Sequence, residues 1–238
     1  MQWNKNLRFA TCILSVVMIL SLPPGCKKSD GPVPAMAIPD SVTDIDGNVY
    51  HPVKIGIQVW LIENLRTTHY RNGDPIPEVP ATSRWGRSDS GACCNYNNMM
   101  QNSLIYGKLY NWPAVHDQRN LCPAGWHVPD ENEWATLVSF AGGETTAGGR
   151  LKEFGFSHWL APNTAATNET GFTALPAGYR NDTGVFANMN RSAIFWSTTS
   201  YDPSHAWYHY TYYDYQVMFK DFYHNKAHGF SVRCIINE

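Results

Sequence analysis

Residues 127–143, "HVPDENEWATLVSFAGG", carry the most complete helix signature in a chain that is otherwise patterned mainly as strands, turns and loops. Asp130 is placed to cap the N-terminus of this helix, and Glu133, three residues on, completes a capping box. Apolar residues then recur at the i, i+3, i+4, i+7 spacing of one buried helix face. Gly142-Gly143 ends the pattern. A second, shorter helix is predicted around residues 147–153.

Strand patterns flank these helices on both sides. Before them, Asp46-Gly47 separates two short alternating runs, which is a strong hairpin signal. From Gly171 onward, segments of strand length alternate with polar or glycine-containing turns. Residues 67–121 are dense in glycine, proline and asparagine and are predicted to be loops with at most short helical turns. This order predicts an α+β domain with a mostly antiparallel sheet, two helices and long irregular loops.

The first 26 residues have the pattern of an export signal. Basic residues at 5 and 8 precede an apolar run at residues 9–22, which is shorter than a membrane-spanning helix. A glycine directly before Cys26 resembles the lipobox of bacterial lipoproteins, in which the cysteine is acylated and becomes the mature N-terminus. We expect a signal peptide over residues 1–25, a lipidated Cys26 with a flexible tether through residue 41, and a folded domain over residues 42–238.

Lipidation at Cys26 implies an exported protein anchored to the bacterial cell envelope, on either the periplasmic or the surface face. An ordinary secretion signal is the alternative. The formal net charge of -2 gives no basic stripe of the kind that nucleic-acid binding requires, so nucleic acid is not an expected partner. Export permits disulfides, and four thiols lie beyond the signal and anchor. They belong to Cys93, Cys94, Cys122 and Cys234, and their spacing alone does not show which of them form disulfides.

The most unusual stretch is residues 205–225, in which nine of 21 residues are aromatic and three are histidine. In a strand, successive side chains face opposite sides, so Tyr208, Tyr210 and Tyr212 share one face while Trp207 lies on the other. Trp207, Phe219 and Phe230 are expected to pack in the interior.

The remaining residues of this stretch resemble an antibody-like paratope, in which tyrosine supplies rigid contact area with a hydrogen-bonding tip. We predict one packing side and one ligand-binding side. The predicted ligand-binding residues are Tyr208, Tyr210, Tyr212, Tyr213, Asp214, Tyr215, Tyr223, His224 and Asn225.

Two histidine pairs, His205 with His209 and His224 with His228, have the HxxxH spacing that forms zinc sites on helices. The surrounding pattern is β, and there four residues span about 13 Å, too far for two ligands of one ion. Ordinary surface histidines are therefore expected, and neither a metal nor another cofactor is assigned.

Several motifs together resemble one family: "DIDGNVY", "YGKLYNW", "LCPAGWHVPDENEW", "ETGFTALPAGYR" and the terminal "GFSVRC". They are similar to the Fibrobacter succinogenes major paralogous domain, found in exported bacterial proteins and lipoproteins, over nearly all of residues 42–236. The resemblance implies a C-type-lectin-like fold in which a disulfide joins the segment before the first helix to the last strand. Here that pair is Cys122 and Cys234, with two buried free thiols as the alternative. Three states of Cys93 and Cys94 stay open: a disulfide between the two, a disulfide to another chain, and reduced thiols.

The motifs do not favour an enzyme. Sulfatase-modifying enzymes, a distant resemblance, need a reactive cysteine pair near the C-terminal end, where this sequence has only Cys234. The sequence has no HExxH, GxSxG or phosphate-binding glycine loop. The EPN, QPD and WND motifs of calcium-dependent lectins are also missing.

We therefore expect a non-enzymatic envelope lipoprotein that binds a protein or glycan through its tyrosine-rich C-terminal surface. Proteins targeted by diversity-generating retroelements vary a similarly placed segment of a C-type-lectin-like fold, and this resemblance suggests that the surface is diversified. Two alternatives are a structural envelope component whose tyrosines contact neighbouring subunits, and an enzyme related to sulfatase modifiers, which rests on fold analogy alone.

Overall fold

The computed structural model describes residues 38–87 and 90–237, so the predicted signal peptide, Cys26 and most of the tether lie outside the described residues. The architecture is mixed α/β with mostly antiparallel sheets. The strands are β1 (Val42–Thr43), β2 (Val49–Tyr50), β3 (Pro52–Ile55), β4 (Gln58–Leu61), β5 (Cys93–Cys94), β6 (Leu109–Tyr110), β7 (Trp126–His127), β8 (Tyr179–Arg180), β9 (Phe186–Ala187), β10 (Ser192–Ser200), β11 (Ala206–Tyr212), β12 (Phe219–Asp221) and β13 (Ile235–Ile236). The helices are α1 (Thr82–Trp85), α2 (Met100–Tyr106), α3 (Trp112–Val115), α4 (Glu131–Phe140) and α5 (Glu144–Leu151).

A four-stranded antiparallel sheet, in the order β3-β4-β13-β7, brings the beginning and the end of the domain together. Ile235 of β13 pairs with Trp60 of β4 on one side and with His127 of β7 on the other. A disulfide between Cys122 and Cys234 links the segment before β7 to the last strand across 112 residues. The pairing implied by the family resemblance is confirmed.

A second antiparallel sheet, in the order β10-β11-β12, carries the aromatic stretch. Tyr210 of β11 lies opposite Ile194 of β10 and Phe219 of β12. Both faces of this sheet are covered at β10, because Trp196 belongs to one core cluster and Phe195 to another. One ligand-binding face is predicted for the aromatic strand β11. That face can be accessible only where the packing described for β10 ends.

Helix α4 begins and ends as its sequence predicts. The Asp130 carboxylate accepts hydrogen bonds from the backbone N–H groups of Asn132 and Glu133, and the Glu133 carboxylate accepts one from the N–H of Asp130. Trp134 and Leu137, on the predicted apolar face, are fully buried. The capping-box prediction is confirmed.

Helix α5 starts three residues before its predicted position, at Glu144, and ends at Leu151. Its two internal glycines are required by close packing. A Cβ atom on Gly148 would lie 2.2 Å from the carbonyl oxygen of Val217, and one on Gly149 would lie 2.6 Å from that of Ala165. The helix therefore supports the chain that follows β11.

The expectation of two helices is wrong, since five occur in the part of the chain that the structure describes. Helices α1 and α3 are four-residue turns, as expected for residues 67–121, whereas α2 has seven residues. The Asp46-Gly47 hairpin is confirmed, with β1 and β2 antiparallel around it. No helix of the described residues is long and apolar enough to cross a bilayer.

Candidate ligand-binding surface

One side of the β10-β11-β12 sheet carries a run of aromatic rings in mutual contact, which we call the tyrosine strip. Tyr210 lies at its centre, stacked on Phe219 of the neighbouring strand with ring centroids 5.0 Å apart. The rings of Tyr208 and Tyr212 lie on either side, each 5.6 Å from Tyr210. The members of the strip are Tyr179, Tyr208, Tyr210, Tyr212, Tyr215, Phe219 and His224.

The predicted alternation is confirmed for this face, but its members differ in exposure. Tyr208 is only 2% exposed, because Trp196, Phe230 and His224 pack around its ring. Tyr210 and Tyr212 are half-buried, and Tyr215 is exposed. A ligand can therefore reach the strip from Tyr210 onward, while Tyr208 supports it from beneath.

Burial sets the protonation of the accessible rings. Burial raises the pKa of Tyr210, and Asp221 raises it further; burial likewise raises the pKa of Tyr212. Both phenols therefore stay neutral at physiological pH. Each offers a ring face and a hydroxyl that can both donate and accept a hydrogen bond.

A buried lysine holds the turn at the end of the strip. Lys152 follows α5, is completely buried, and donates from Nζ to the carbonyl oxygens of Tyr212 at 3.0 Å and Tyr215 at 2.8 Å. Its ammonium lies 5.3 Å from the Trp159 ring centroid. Burial lowers the pKa of Lys152 to about 8, while Asp214 opposes this shift. Sequence reasoning missed Lys152, because nothing in its local pattern marks it as buried.

The other predicted ligand-binding residues lie outside the strip. Tyr213 packs against the core that contains Trp134, with the Arg191 guanidinium 5.7 Å from its ring centroid. Asp214 is exposed in the turn. Asn225 donates to a carboxylate oxygen of Asp182 at 2.8 Å.

Tyr223, the most exposed of the predicted tyrosines, belongs to a separate aromatic cluster. Its ring lies 5.0 Å from Phe222, which in turn stacks on Tyr201 at 3.7 Å. The Trp207 ring packs against that of Phe222 with centroids 5.0 Å apart, and Lys220 Nζ lies 4.3 Å from the Trp207 ring centroid. Trp207 was expected in the interior, but it is only half-buried and packs within this cluster.

The model of the Fibrobacter succinogenes major domain family matches residues 53–235. The chain belongs to this family. The Fibrobacter succinogenes major domain thus extends from within β3 to within β13 and contains the whole tyrosine strip. No curated protein and no solved structure matches the chain.

In this Fibrobacter succinogenes major domain, His209 is buried, so its assignment as a surface histidine is wrong. Its ring stacks on Trp134 at 4.8 Å, and Nε2 lies 3.1 Å from a carboxylate oxygen of Glu131. The other oxygen of Glu131 lies 3.0 Å from Lys220 Nζ. Burial raises the pKa of Glu131, but His209 and Lys220 outweigh it and hold the pKa below its usual range. These contacts attach α4 to the face of the sheet opposite the tyrosine strip.

His224 and His228 do not continue a strand, because β12 ends at Asp221 and the chain turns. Their ring centroids are 4.4 Å apart, which contradicts the predicted separation, and His228 is buried rather than exposed. Burial lowers the pKa of both, to about 4 for His228, so both are neutral at pH 7. Among residues 38–87 and 90–237, no group of three or more histidines, cysteines or carboxylates is placed to bind a metal.

Cys93 and Cys94 of the Fibrobacter succinogenes major domain are buried free thiols. They point into different core clusters, as neighbours on a strand do. Burial raises the pKa of Cys93 to about 12 and that of Cys94 to about 11. Of the three states left open by the sequence, the structure has the reduced one.

Proposed function

We propose that this chain is an exported, lipid-anchored and non-enzymatic protein of the bacterial cell envelope. Its C-type-lectin-like domain binds a protein or glycan through the accessible part of the tyrosine strip, formed by Tyr210, Tyr212, Tyr215 and Phe219. The observation that carries this proposal is the contact of these half-exposed rings with one another.

Ring contacts reduce the entropy that binding would cost. Ordering one free side chain on binding costs about 0.5–1.5 kcal/mol. Three tyrosines that are already fixed by their neighbours therefore spare about 1.5–4.5 kcal/mol. The same rings offer apolar faces for sugars or protein side chains, and their neutral hydroxyls supply hydrogen bonds.

The fold and the anchor have separate support. A disulfide from the segment before α4 to the last strand, with both ends of the domain in one sheet, agrees with a C-type-lectin-like arrangement. The lipid anchor rests on the lipobox-like glycine before Cys26. The non-enzymatic assignment is supported by Cys93 and Cys94, whose buried thiols with raised pKa values are poor nucleophiles.

A screen against envelope proteins and against envelope and host glycans tests the site. The triple variant Tyr210→Ser, Tyr212→Ser, Tyr215→Ser should weaken binding at least tenfold relative to the wild-type chain. The matched control is Tyr201→Ser with Tyr223→Ser, which removes two tyrosines from the separate aromatic cluster. Retained binding by the triple variant, or an equal loss in the control, would exclude the tyrosine strip as the site.

Two further variants separate the parts of the proposal. Phenylalanine at the three strip positions keeps the rings and removes the hydroxyls, so it distinguishes ring stacking from hydrogen bonding. Labelling of cells with a radioactive fatty acid tests the anchor, because Cys26→Ser should abolish incorporation. Label that persists in Cys26→Ser would show that another residue carries the lipid.

A further inference from the structure

Helix α2 exposes three of its apolar residues. Its serine, Ser103, is only 6% exposed and donates to the carbonyl oxygen of Met100, whereas Met100 is 67% and Leu104 62% exposed. Ile105 is also exposed, at 50%. A helix on a protein surface usually turns its apolar residues inward. Here Met100, Leu104 and Ile105 lie in solvent, whereas Ser103 and Tyr106 are buried.

A second exposed apolar segment lies beside this helix. Phe154 is 72% and Phe156 64% exposed. The two segments meet where the ring of Tyr106 contacts that of His158, with centroids 5.5 Å apart. Asn190 donates from Nδ2 to both the Tyr106 hydroxyl and the His158 carbonyl, which fixes the junction.

We call these exposed residues the apolar face. Its members are Met99, Met100, Leu104, Ile105, Phe154, Phe156 and Leu160. At roughly 150–250 Å² for a whole aromatic side chain, the two phenylalanines alone expose roughly 200–350 Å². The largest apolar patch of a typical monomer is about 300–600 Å² in total. With five more members, the apolar face exceeds what a solvated monomer usually carries.

The members of the apolar face are uncharged, and the carboxylate of Glu153, which precedes Phe154, is paired with the His158 ring at 2.8 Å. Residues 95–107 and 154–168 contain no aspartate, glutamate, lysine or arginine. Protein surfaces that bind membranes through an amphipathic helix rely on lysine and arginine around the apolar residues. A twofold contact places one surface against itself, so that charges near the axis meet their own copies. A surface without charged members can pair with itself without that repulsion.

We propose that the apolar face pairs with the same face of a second copy of this chain. A standard interface buries about 800 Å² on each partner, which a face of this composition can approach with two copies of α2 in contact. No residue of the tyrosine strip belongs to the apolar face, so this pairing is independent of the ligand proposed above.

Photo-cross-linking of the full chain in its own cells tests the pairing. Leu104 is replaced by the photoreactive residue p-benzoylphenylalanine, and two differently tagged copies are expressed together. Illumination should give a band at twice the monomer mass that carries both tags. Adding Met100→Gln and Ile105→Gln should reduce that band at least tenfold.

Ile57 supplies the control, since it is an exposed isoleucine, at 87%, in the turn between β3 and β4 and outside the apolar face. The photoreactive residue at position 57 should give no doubly tagged band. The proposal fails if position 104 yields only monomer, lipid adducts or adducts with another protein. It also fails if position 57 gives the same dimer. Because the exchanged side chains are solvent-exposed within one copy of the chain, each variant should still fold, which its far-ultraviolet circular dichroism spectrum checks.

Discussion

Replacing Lys152 with methionine tests whether a buried ammonium determines the shape of the turn that ends the tyrosine strip. Methionine retains most of the length of the lysine stem and its contact with Trp159, but it cannot donate to the carbonyl oxygens of Tyr212 and Tyr215. Hydrogen bonds from a charged donor contribute about 1.5–3 kcal/mol each. Loss of both should therefore cost about 3–6 kcal/mol.

The burial of the charge offsets much of this loss. The pKa of Lys152 falls from an ordinary 10.5 to about 8, which corresponds to about 3 kcal/mol against the charged form. The free energy of unfolding should therefore drop by only about 0–3 kcal/mol in Lys152→Met. The larger effect should be local, because two carbonyl groups of the turn lose their donor.

The pH dependence of this difference has a definite sign. Between pH 8 and 10.5 the unfolded chain keeps the lysine proton while the folded chain has released it, so folding gains stability from this group as pH rises. The wild-type chain should therefore gain stability relative to Lys152→Met across this interval.

Hydrogen exchange measures the local effect. The amides of Tyr213 and Tyr215, which donate to the carbonyls of Arg191 and Tyr212, should exchange at least tenfold faster in Lys152→Met. Lys226→Met is the matched control, because Lys226 donates to carbonyls of the separate β10-β11 turn. Wild-type exchange at both reporter amides, or a loss of unfolding free energy above about 5 kcal/mol, would refute this account of the turn.

Other predictions concern the scaffold. Replacing Cys122 and Cys234 with alanine should lower the free energy of unfolding by about 4–5 kcal/mol, since the bridge closes a loop of 112 residues; guanidinium titration measures this, and a loss below about 1 kcal/mol would contradict it. Burial and a neighbouring imidazole lower the pKa of His228 to about 4, so native stability should fall by about 3 kcal/mol as pH drops from 6.5 to 4. The variant His228→Phe should lose stability less steeply over this pH range. If the slope is unchanged, His228 is not its source. Cys93 and Cys94 should resist a thiol reagent in the native chain and react in denaturant; rapid native labelling would count against their burial.

Local sequence patterns were sufficient where local interactions decide the structure. The capping box of α4 needs only Asp130 and Glu133 three residues apart, and the β1-β2 hairpin needs only a turn that accepts Asp46-Gly47. The alternation of β11 also placed Tyr208, Tyr210 and Tyr212 on one face correctly. Each of these features depends on residues close together in the chain.

The errors arise where distant residues decide. Tyr208 is buried because Phe230, on another part of the chain, packs against it, and His209 is buried because α4 crosses the other face of the sheet. The separation predicted for His224 and His228 is wrong because strand β12 ends at Asp221, before both residues. No local pattern distinguishes Lys152 from a surface lysine.

The contacts of Lys152 have a consequence for how the sequence of this turn can change. The ammonium holds main-chain oxygens, which every amino acid possesses, and the remaining bonds to Tyr213 also run through its backbone N–H and carbonyl groups. Asp214 and Tyr215, whose side chains are exposed, can therefore be exchanged for other residues while the loop keeps its path, whereas Tyr213 also packs against the core. The backbone of the turn thus keeps its shape independently of the exposed side chains that it carries, so new binding preferences could evolve there without a new fold.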